Sequence, residues 1–130
     1  MDFKILLVDD NQTFAASVKQ FLQILHGATV VGHATNGLEA LEQARALEPD
    51  LILMDIGLPD MSGLDIARTL QTWSAPPKVI FLTMHNNQPY RDAAQKAGAA
   101  GFVSKANFVS QLFPMIEELV RNQPHQEGAL

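Results

Sequence analysis

Ile5-Leu6-Leu7-Val8-Asp9-Asp10 is a run of four apolar residues followed directly by two carboxylates. The pattern recurs at Leu51-Ile52-Leu53-Met54-Asp55, and a third apolar run is Val79-Ile80-Phe81-Leu82. Two shorter runs are Val30-Val31 and Gly101-Phe102-Val103. Runs that are apolar on both faces are typical of strands in a parallel sheet covered by helices. We therefore predict five strands.

Amphipathic stretches fill the intervals between these runs and predict helices. Apolar residues at helical spacing indicate a first helix that Gly27 ends: Phe14, Val18, Phe21, Leu22 and Leu25. A fourth helix runs through Tyr90 to Gly98, and a fifth from about Asn107 to Arg121. Pro114 removes an amide donor from the fifth helix, so a kink or a late start is expected there.

Two pairs of residues have the spacing of a helix-capping box. Asn36 with Glu39 predicts the start of a second helix that Pro49 stops, and Ser62 with Asp65 predicts the start of a third. In this motif the first side chain caps the helix, while the second reaches back to the cap residue.

The length of 130 residues suits one domain with a single core. Five strands alternating with five helices predict a doubly wound α/β sandwich with right-handed crossovers. Ligands in this architecture bind at the carboxyl ends of the strands. Residues 122–130 lack periodicity and are expected to be a disordered tail or the start of a linker.

Composition excludes several classes of function. The chain has no cysteine, which rules out a disulfide scaffold, a thiolate metal site and a cysteine nucleophile. Its formal net charge of −5 disfavours direct binding of nucleic acid. No apolar stretch approaches the roughly 20 residues of a membrane span. No signal-peptide pattern precedes the first run, so we expect a cytoplasmic protein.

Polar residues follow four of the five runs. Asp9 and Asp10 follow the first, Asp55 the third, Thr83 the fourth, and Lys105 lies two residues beyond the fifth. Individually, each has an ordinary structural interpretation, such as a helix cap, a turn residue or a surface lysine. Together they gather three carboxylates, a hydroxyl and an amine at one edge. Such a cluster needs a cation to keep the carboxylates ionised, and hard oxygen ligands favour Mg²⁺.

This pattern resembles the receiver domain of two-component response regulators over residues 4–121, most closely the subgroup of the NarL and LuxR regulators. The resemblance rests on four segments: Ile5-Leu6-Leu7-Val8-Asp9-Asp10-Asn11, Met54-Asp55-Ile56-Gly57-Leu58-Pro59-Asp60-Met61-Ser62-Gly63, Leu82-Thr83, and Gly101-Phe102-Val103-Ser104-Lys105. It implies a flavodoxin-like (βα)5 sandwich with strand order 2-1-3-4-5 and a receiver domain over residues 1–121.

The resemblance also implies roles for the clustered residues. Asp55 is the expected phosphoacceptor, and Asp9, Asp10, Asp55 and the Gly57 backbone carbonyl are the expected Mg²⁺ ligands. Thr83 and Lys105 would hold the phosphoryl oxygens. Thr83 and Phe102 would form the conformational switch.

The implied function is a signalling switch rather than a metabolic enzyme. A sensor histidine kinase would donate the phosphoryl group, and an output domain or a partner would receive the conformational change. A phosphorylation-dependent homodimer is a further expected partner. Regulators of this subgroup carry a DNA-binding domain, so the chain is either the receiver part of a transcription regulator or a receiver that acts alone.

Three other functions fit the sequence less well. A hydrolase of the haloacid dehalogenase type requires a second aspartate two residues after the nucleophile, where this chain has Gly57. A nucleotide-binding switch requires a G-x-x-x-x-G-K-[ST] loop, which the sequence lacks. A receiver-fold module that works without phosphorylation usually has lost the phosphoacceptor, the acidic pair or the lysine, and all of these are present here.

Overall fold

The computed structural model describes residues 2–123. Strands and helices alternate along the chain, and their bounds are β1 Phe3–Val8, α1 Gln12–Leu22, β2 Ala28–Ala34, α2 Gly37–Leu47, β3 Leu51–Met54, α3 Gly63–Gln71, β4 Lys78–Thr83, α4 Gln88–Lys96, β5 Gly101–Ser104 and α5 Phe108–Arg121. A short 3-10 turn, Lys105–Asn107, joins β5 to α5. The strands form one parallel sheet in the order β2-β1-β3-β4-β5, which confirms the predicted fold.

The core lies on both faces of the sheet because alternate strand residues point in opposite directions. Leu6, Ile52 and Phe81 belong to a buried cluster that includes residues of α2, α3 and α4. Ile5 and Leu53 belong to the opposite cluster, which α1 and α5 cover. The three central strands are therefore apolar on both faces, as their sequences predicted.

The strand β2 departs from that pattern, since most of its side chains are only half-buried. It pairs with β1 alone and forms one edge of the sheet. An edge strand has one neighbour fewer, so its side chains stay more accessible to solvent.

The first helix is shorter than predicted, because α1 ends at Leu22 rather than at Gly27. Gly27 has a φ of 87° and turns the chain into β2, where its carbonyl accepts a hydrogen bond of 2.8 Å from the Phe3 N–H. This left-handed conformation suits glycine, which has no Cβ to clash. Leu25 is buried, but it lies in the connection and not on the helix.

The capping boxes form only in part. Asn36 and Ser62 cap α2 and α3 as predicted, each accepting a hydrogen bond from a backbone N–H of the first turn. The Glu39 carboxylate, however, accepts from the Thr35 N–H at 2.9 Å rather than from Asn36. The Asp65 carboxylate pairs with Arg68 at 2.6 Å and does not reach back to Ser62. A cation one turn along the same helix competes with the box for that carboxylate.

The fifth helix begins at Phe108, next to the predicted start at Asn107, and continues through Pro114. Of the two expected consequences of this proline, a kink or a late start, the late start does not occur. The predicted tail lies outside the described residues from position 124 onward. Within residues 2–123, every helix is too short or too polar to cross a bilayer.

Candidate functional site

The candidate site lies where β1 and β3 end side by side at the carboxyl edge of the sheet. The chain leaves β1 toward β2 on one side and leaves β3 toward β4 on the other, so this is the topological switch point of the sheet. Backbone hydrogen bonds of 3.0 Å continue the ladder one residue past each strand, from the Asp9 N–H to Ala34 and from the Asp55 N–H to Val8. The sheet itself therefore fixes the backbone of both acids.

Lys105 joins the two buried carboxylates. Its Nζ lies 2.8 Å from Asp9 Oδ2 and 3.1 Å from Asp55 Oδ2. The lysine side chain is only 10% exposed, so the ion pairs are largely withdrawn from water. Each carboxylate also accepts a local backbone hydrogen bond, Asp9 from Asn11 at 2.8 Å and Asp55 from Gly57 at 3.3 Å.

Burial and charge act in opposite directions on these groups. Burial raises the pKa of the Asp9 carboxyl above its usual value, although the hydrogen bond and charge of Lys105 partly offset this effect. Burial by itself would lower the pKa of Lys105, but the hydrogen bond to Asp9 and the charge of Asp55 outweigh it and raise that pKa. Lys105 is therefore a cation at neutral pH.

Asp10 completes a triad of acidic side chains. It is exposed, and one oxygen each of Asp9, Asp10 and Asp55 lies within 4.8 Å of the other two. Three hard oxygen donors at this separation fit Mg²⁺, which takes oxygen ligands and usually keeps some of its waters. The exposed Asp10 leaves the triad open to solvent on one side, as a metal that keeps waters requires. The donor set thus agrees with the predicted metal.

Thr83 and Phe102 occupy neighbouring positions on the sheet. Thr83 is fully buried at the end of β4, and its Oγ1 accepts a hydrogen bond of 3.1 Å from the His85 N–H. Phe102 is half-buried on β5 and pairs in register with Phe81, two residues before Thr83. All the predicted side chains therefore lie at this edge or on the two strands that lead to it.

The family can be read from this geometry together with the sequence. The family model of the response regulator receiver domain matches residues 5–117. The chain belongs to this family. Receiver domains are signalling components rather than metabolic enzymes, they receive phosphoryl groups from sensor kinases, and they typically bind Mg²⁺ through acidic residues.

Two relatives illustrate the likeness in sequence. The chain is 33% identical to the response regulator UvrY of Escherichia coli (strain K12) over 92% of its own length. It is 32% identical to the response regulator GacA of Pseudomonas aeruginosa, again over 92% of its length. The chain spans 55% of UvrY and 56% of GacA, so it is similar to about half of each relative.

Solved receiver structures share the fold. A two-component response regulator of the LuxR family from Aurantimonas sp. superposes with a TM-score of 0.86 at 28% identity, covering 93% of this chain and 86% of the other. The response regulator domain of Thermotoga maritima CheB gives a TM-score of 0.80 at 29% identity, covering 93% of this chain and 95% of the other.

Two residues that sequence analysis did not assign to this receiver's site touch it. The Phe14 ring lies under Lys105, with Nζ 4.6 Å from the ring centroid. His33 Nε2 lies 2.9 Å from the Asp9 carbonyl oxygen, a hydrogen bond that requires the ring proton on Nε2. Helical spacing had marked Phe14 only as a core residue, and His33 carries no motif signal because its partner is distant in sequence.

A third missed residue holds the loop after Asp55. The exposed Asp60 carboxylate accepts hydrogen bonds from the first two N–H groups of α2, Gly37 at 2.6 Å and Leu38 at 3.0 Å. These bonds hold the pKa of Asp60 below its usual range, and the bond from Gly37 has the largest effect. The loop is thus tied to a helix more than 20 residues earlier, which local sequence patterns do not reveal.

Proposed function

We propose that this receiver domain is a phosphorylation-activated switch that accepts a phosphoryl group on Asp55 from a sensor histidine kinase. The observation that carries the proposal is the Lys105 ammonium, which contacts Asp9 and Asp55 at once beside an open acidic triad. An Asp55 oxygen would form a bond to phosphorus while the bond from phosphorus to the donor's imidazole nitrogen breaks. The electron pair of that bond stays with the imidazole.

The remaining side chains would orient and neutralise the transferred group. Asp9, Asp10, Asp55 and the Gly57 carbonyl would hold Mg²⁺, which when bound neutralises charge on the phosphoryl oxygens. Lys105 would move its ion pair from the Asp55 carboxylate to a phosphoryl oxygen. The Thr83 hydroxyl would donate a hydrogen bond to another phosphoryl oxygen. If Thr83 turned in this way, it would lose the hydrogen bond that it now accepts from the His85 N–H, and the chain after β4 would be disturbed.

The response would then leave the site through Phe102. We propose that Thr83 turns toward the phosphoryl group and vacates space. The Phe102 ring then moves into this space, which changes the outer face of β5. A ligand shifts such an equilibrium only by binding one arrangement more tightly than the other. Charge-assisted contacts from Lys105 and Thr83 are of the kind that supplies this difference.

The receiver unit is proposed to comprise residues 1–121, with residues 122–130 as a tail or linker. The similarity to part of UvrY and GacA supports an output region elsewhere in the whole protein, as in a transcription regulator. With its net charge of −5, this chain would not itself bind DNA. Its partners would be the kinase, the output region and a second phosphorylated copy. A cytoplasmic location agrees with these partners.

The proposal is tested by intact mass after incubation with Mg²⁺ and acetyl phosphate. The wild type should gain one phosphoryl group, whereas Asp55→Asn should gain none. Asp65→Asn is the matched control, because Asp65 lies on α3, where its exposed carboxylate forms an ion pair with Arg68 of the same helix. Excess EDTA should prevent the reaction. A phosphoryl adduct on the Asp55→Asn protein, or undiminished phosphorylation in EDTA, would refute the assignment.

A further inference from the structure

Phe102 is covered by a cation from the neighbouring helix. The Arg91 Cζ lies 4.7 Å from the centroid of the Phe102 ring, within the range of a cation–π contact. Arg91 belongs to α4 and is half-buried, as is the ring. Within residues 2–123 no carboxylate forms an ion pair with Arg91, so its guanidinium is committed to the ring and to backbone.

The same guanidinium reaches the segment that follows the switch threonine. Arg91 Nε donates a hydrogen bond of 3.2 Å to the Asn86 carbonyl. Asn86 Nδ2 in turn donates to Ser104 Oγ on β5 at 3.3 Å. Arg91 thus contacts two places whose relative position must change if Thr83 turns and Phe102 follows it.

A phenylalanine ring has only packing and its π face with which to hold a position. It has no hydroxyl to donate or accept a hydrogen bond, so a polar anchor at this position has to come from another residue. The face of the ring carries negative charge density, which attracts the planar guanidinium of Arg91. The contact therefore favours the ring position seen here over one directed toward Thr83.

We propose that Arg91 is a positioning residue that latches Phe102 at the edge of the sheet and so opposes the switch. The inference rests on the proposed function, since it assumes that a phosphoryl group on Asp55 draws Thr83 and Phe102 away from this arrangement. Moving the ring toward Thr83 breaks its contact with Arg91. Any ligand that favours the switched arrangement must therefore offset the free energy that is lost with this contact.

Removing the latch should strengthen the binding of a phosphoryl mimic. Arg91→Ala should raise the apparent affinity for beryllofluoride in the presence of Mg²⁺ by about two- to fivefold, the factor that corresponds to the loss of one cation–π contact near the surface. Loss of a positive charge would by itself weaken binding of an anion. The latch and a general electrostatic effect therefore predict opposite signs. Amide shifts of Val103 and Lys105 report the titration.

Three further proteins make the test specific. Arg91→Lys keeps the charge but loses the planar stack, so its affinity should lie between those of the wild type and Arg91→Ala. Arg45→Ala removes the other arginine that stacks on an aromatic ring, 4.4 Å from Trp73, and should bind as the wild type does. In a Phe102→Leu background, Arg91→Ala should have no further effect, because the ring that Arg91 holds is absent.

The two proposals fail in different ways. Equal or weaker beryllofluoride binding by Arg91→Ala would overturn the latch while leaving phosphorylation of Asp55 intact. An Arg91→Ala effect of undiminished size in the Phe102→Leu background would overturn it as well. Complete lack of beryllofluoride binding by the wild type would overturn the proposed function and the latch together.

Discussion

Asp9 combines two demands that conflict at neutral pH, since it is buried yet must be ionised to bind a cation. Burial raises the pKa of its carboxyl above the usual 3.8, and the Lys105 hydrogen bond offsets this only in part. When the pKa of a carboxyl is higher in the folded state than in the unfolded state, the free energy of unfolding falls as the pH rises from the unfolded-state pKa through the folded-state pKa. The ionised Asp9 therefore costs the folded protein free energy above that window.

Replacing this carboxyl should stabilise the protein while removing metal binding. Asp9→Asn is expected to raise the free energy of unfolding at pH 7 in EDTA by about 0.5–2 kcal/mol, the range typical of single stabilising substitutions. Urea unfolding measures the gain, which should shrink as the pH falls toward 3.8. Added Mg²⁺ should stabilise the wild type but not this variant.

The control for this prediction is Asp65→Asn, which removes an exposed carboxylate from α3. Its unfolding free energy should change by no more than about 0.5 kcal/mol. An Asp9→Asn protein that is no more stable than the wild type at pH 7 would contradict the argument from burial.

The end of α2 holds a residue in an uncommon backbone conformation. Glu48 has a φ of 50° and is the C-terminal cap of the helix. A left-handed conformation costs an L-residue roughly 1–2 kcal/mol because of its Cβ, whereas glycine adopts it freely. Sequence analysis assigned the end of this helix to Pro49 and gave no reason to expect a glycine-like residue at position 48.

Glu48→Gly is therefore expected to raise the free energy of unfolding by up to about 1 kcal/mol, since the greater freedom of glycine in the unfolded chain offsets part of the gain. Glu48→Ala retains the Cβ and should show no such gain. Urea unfolding of both variants decides the matter. An equal gain in the alanine variant would mean that the loss of the carboxylate, not the backbone, is responsible.

Elements with local signals were predictable, and contacts between distant elements were not. The apolar runs located all five strands, and they did so most clearly for the three central ones, because a covered sheet needs side chains there that are apolar on both faces. Asn36 and Ser62 marked helix starts because a cap acts within three residues. Asp60 and Arg91 were missed because their partners are brought close only by the fold.

The edge of the sheet explains why the candidate site was predictable when other contacts were not. In a parallel sheet, residues that follow different strands meet at one edge whatever their separation in sequence. Asp9, Asp55 and Lys105 could therefore be grouped from the strand ends alone. The sequence could not indicate that Lys105 would pair with both acids, which depends on the path of the turn after β5.

Phosphorylation should change the self-association of the receiver domain. We expect a second copy to bind the face of α4, β5 and α5, or that of α1 and α5, and the proposed motion of Phe102 would alter the first of these faces. Sedimentation velocity in Mg²⁺ should show a larger mass or a changed shape when beryllofluoride is added, because a ligand favours the arrangement that binds it.

The Asp55→Asn protein should sediment identically with and without beryllofluoride. A wild type that binds beryllofluoride but keeps the same mass and shape would count against a phosphorylation-dependent dimer. It would leave an attached output region as the partner that responds.

The tie between Asp60 and α2 bears on how receiver segments can be exchanged. The loop after Asp55 is anchored by the N–H groups of Gly37 and Leu38, and a side chain at position 37 would collide with Met61 of the same loop. A chimera that takes only this loop from a receiver without an acid at position 60 would leave the start of α2 without its carboxylate. Grafts should therefore carry the start of α2 and the loop as one cassette, and the two segments are expected to covary among natural receivers that use this anchor.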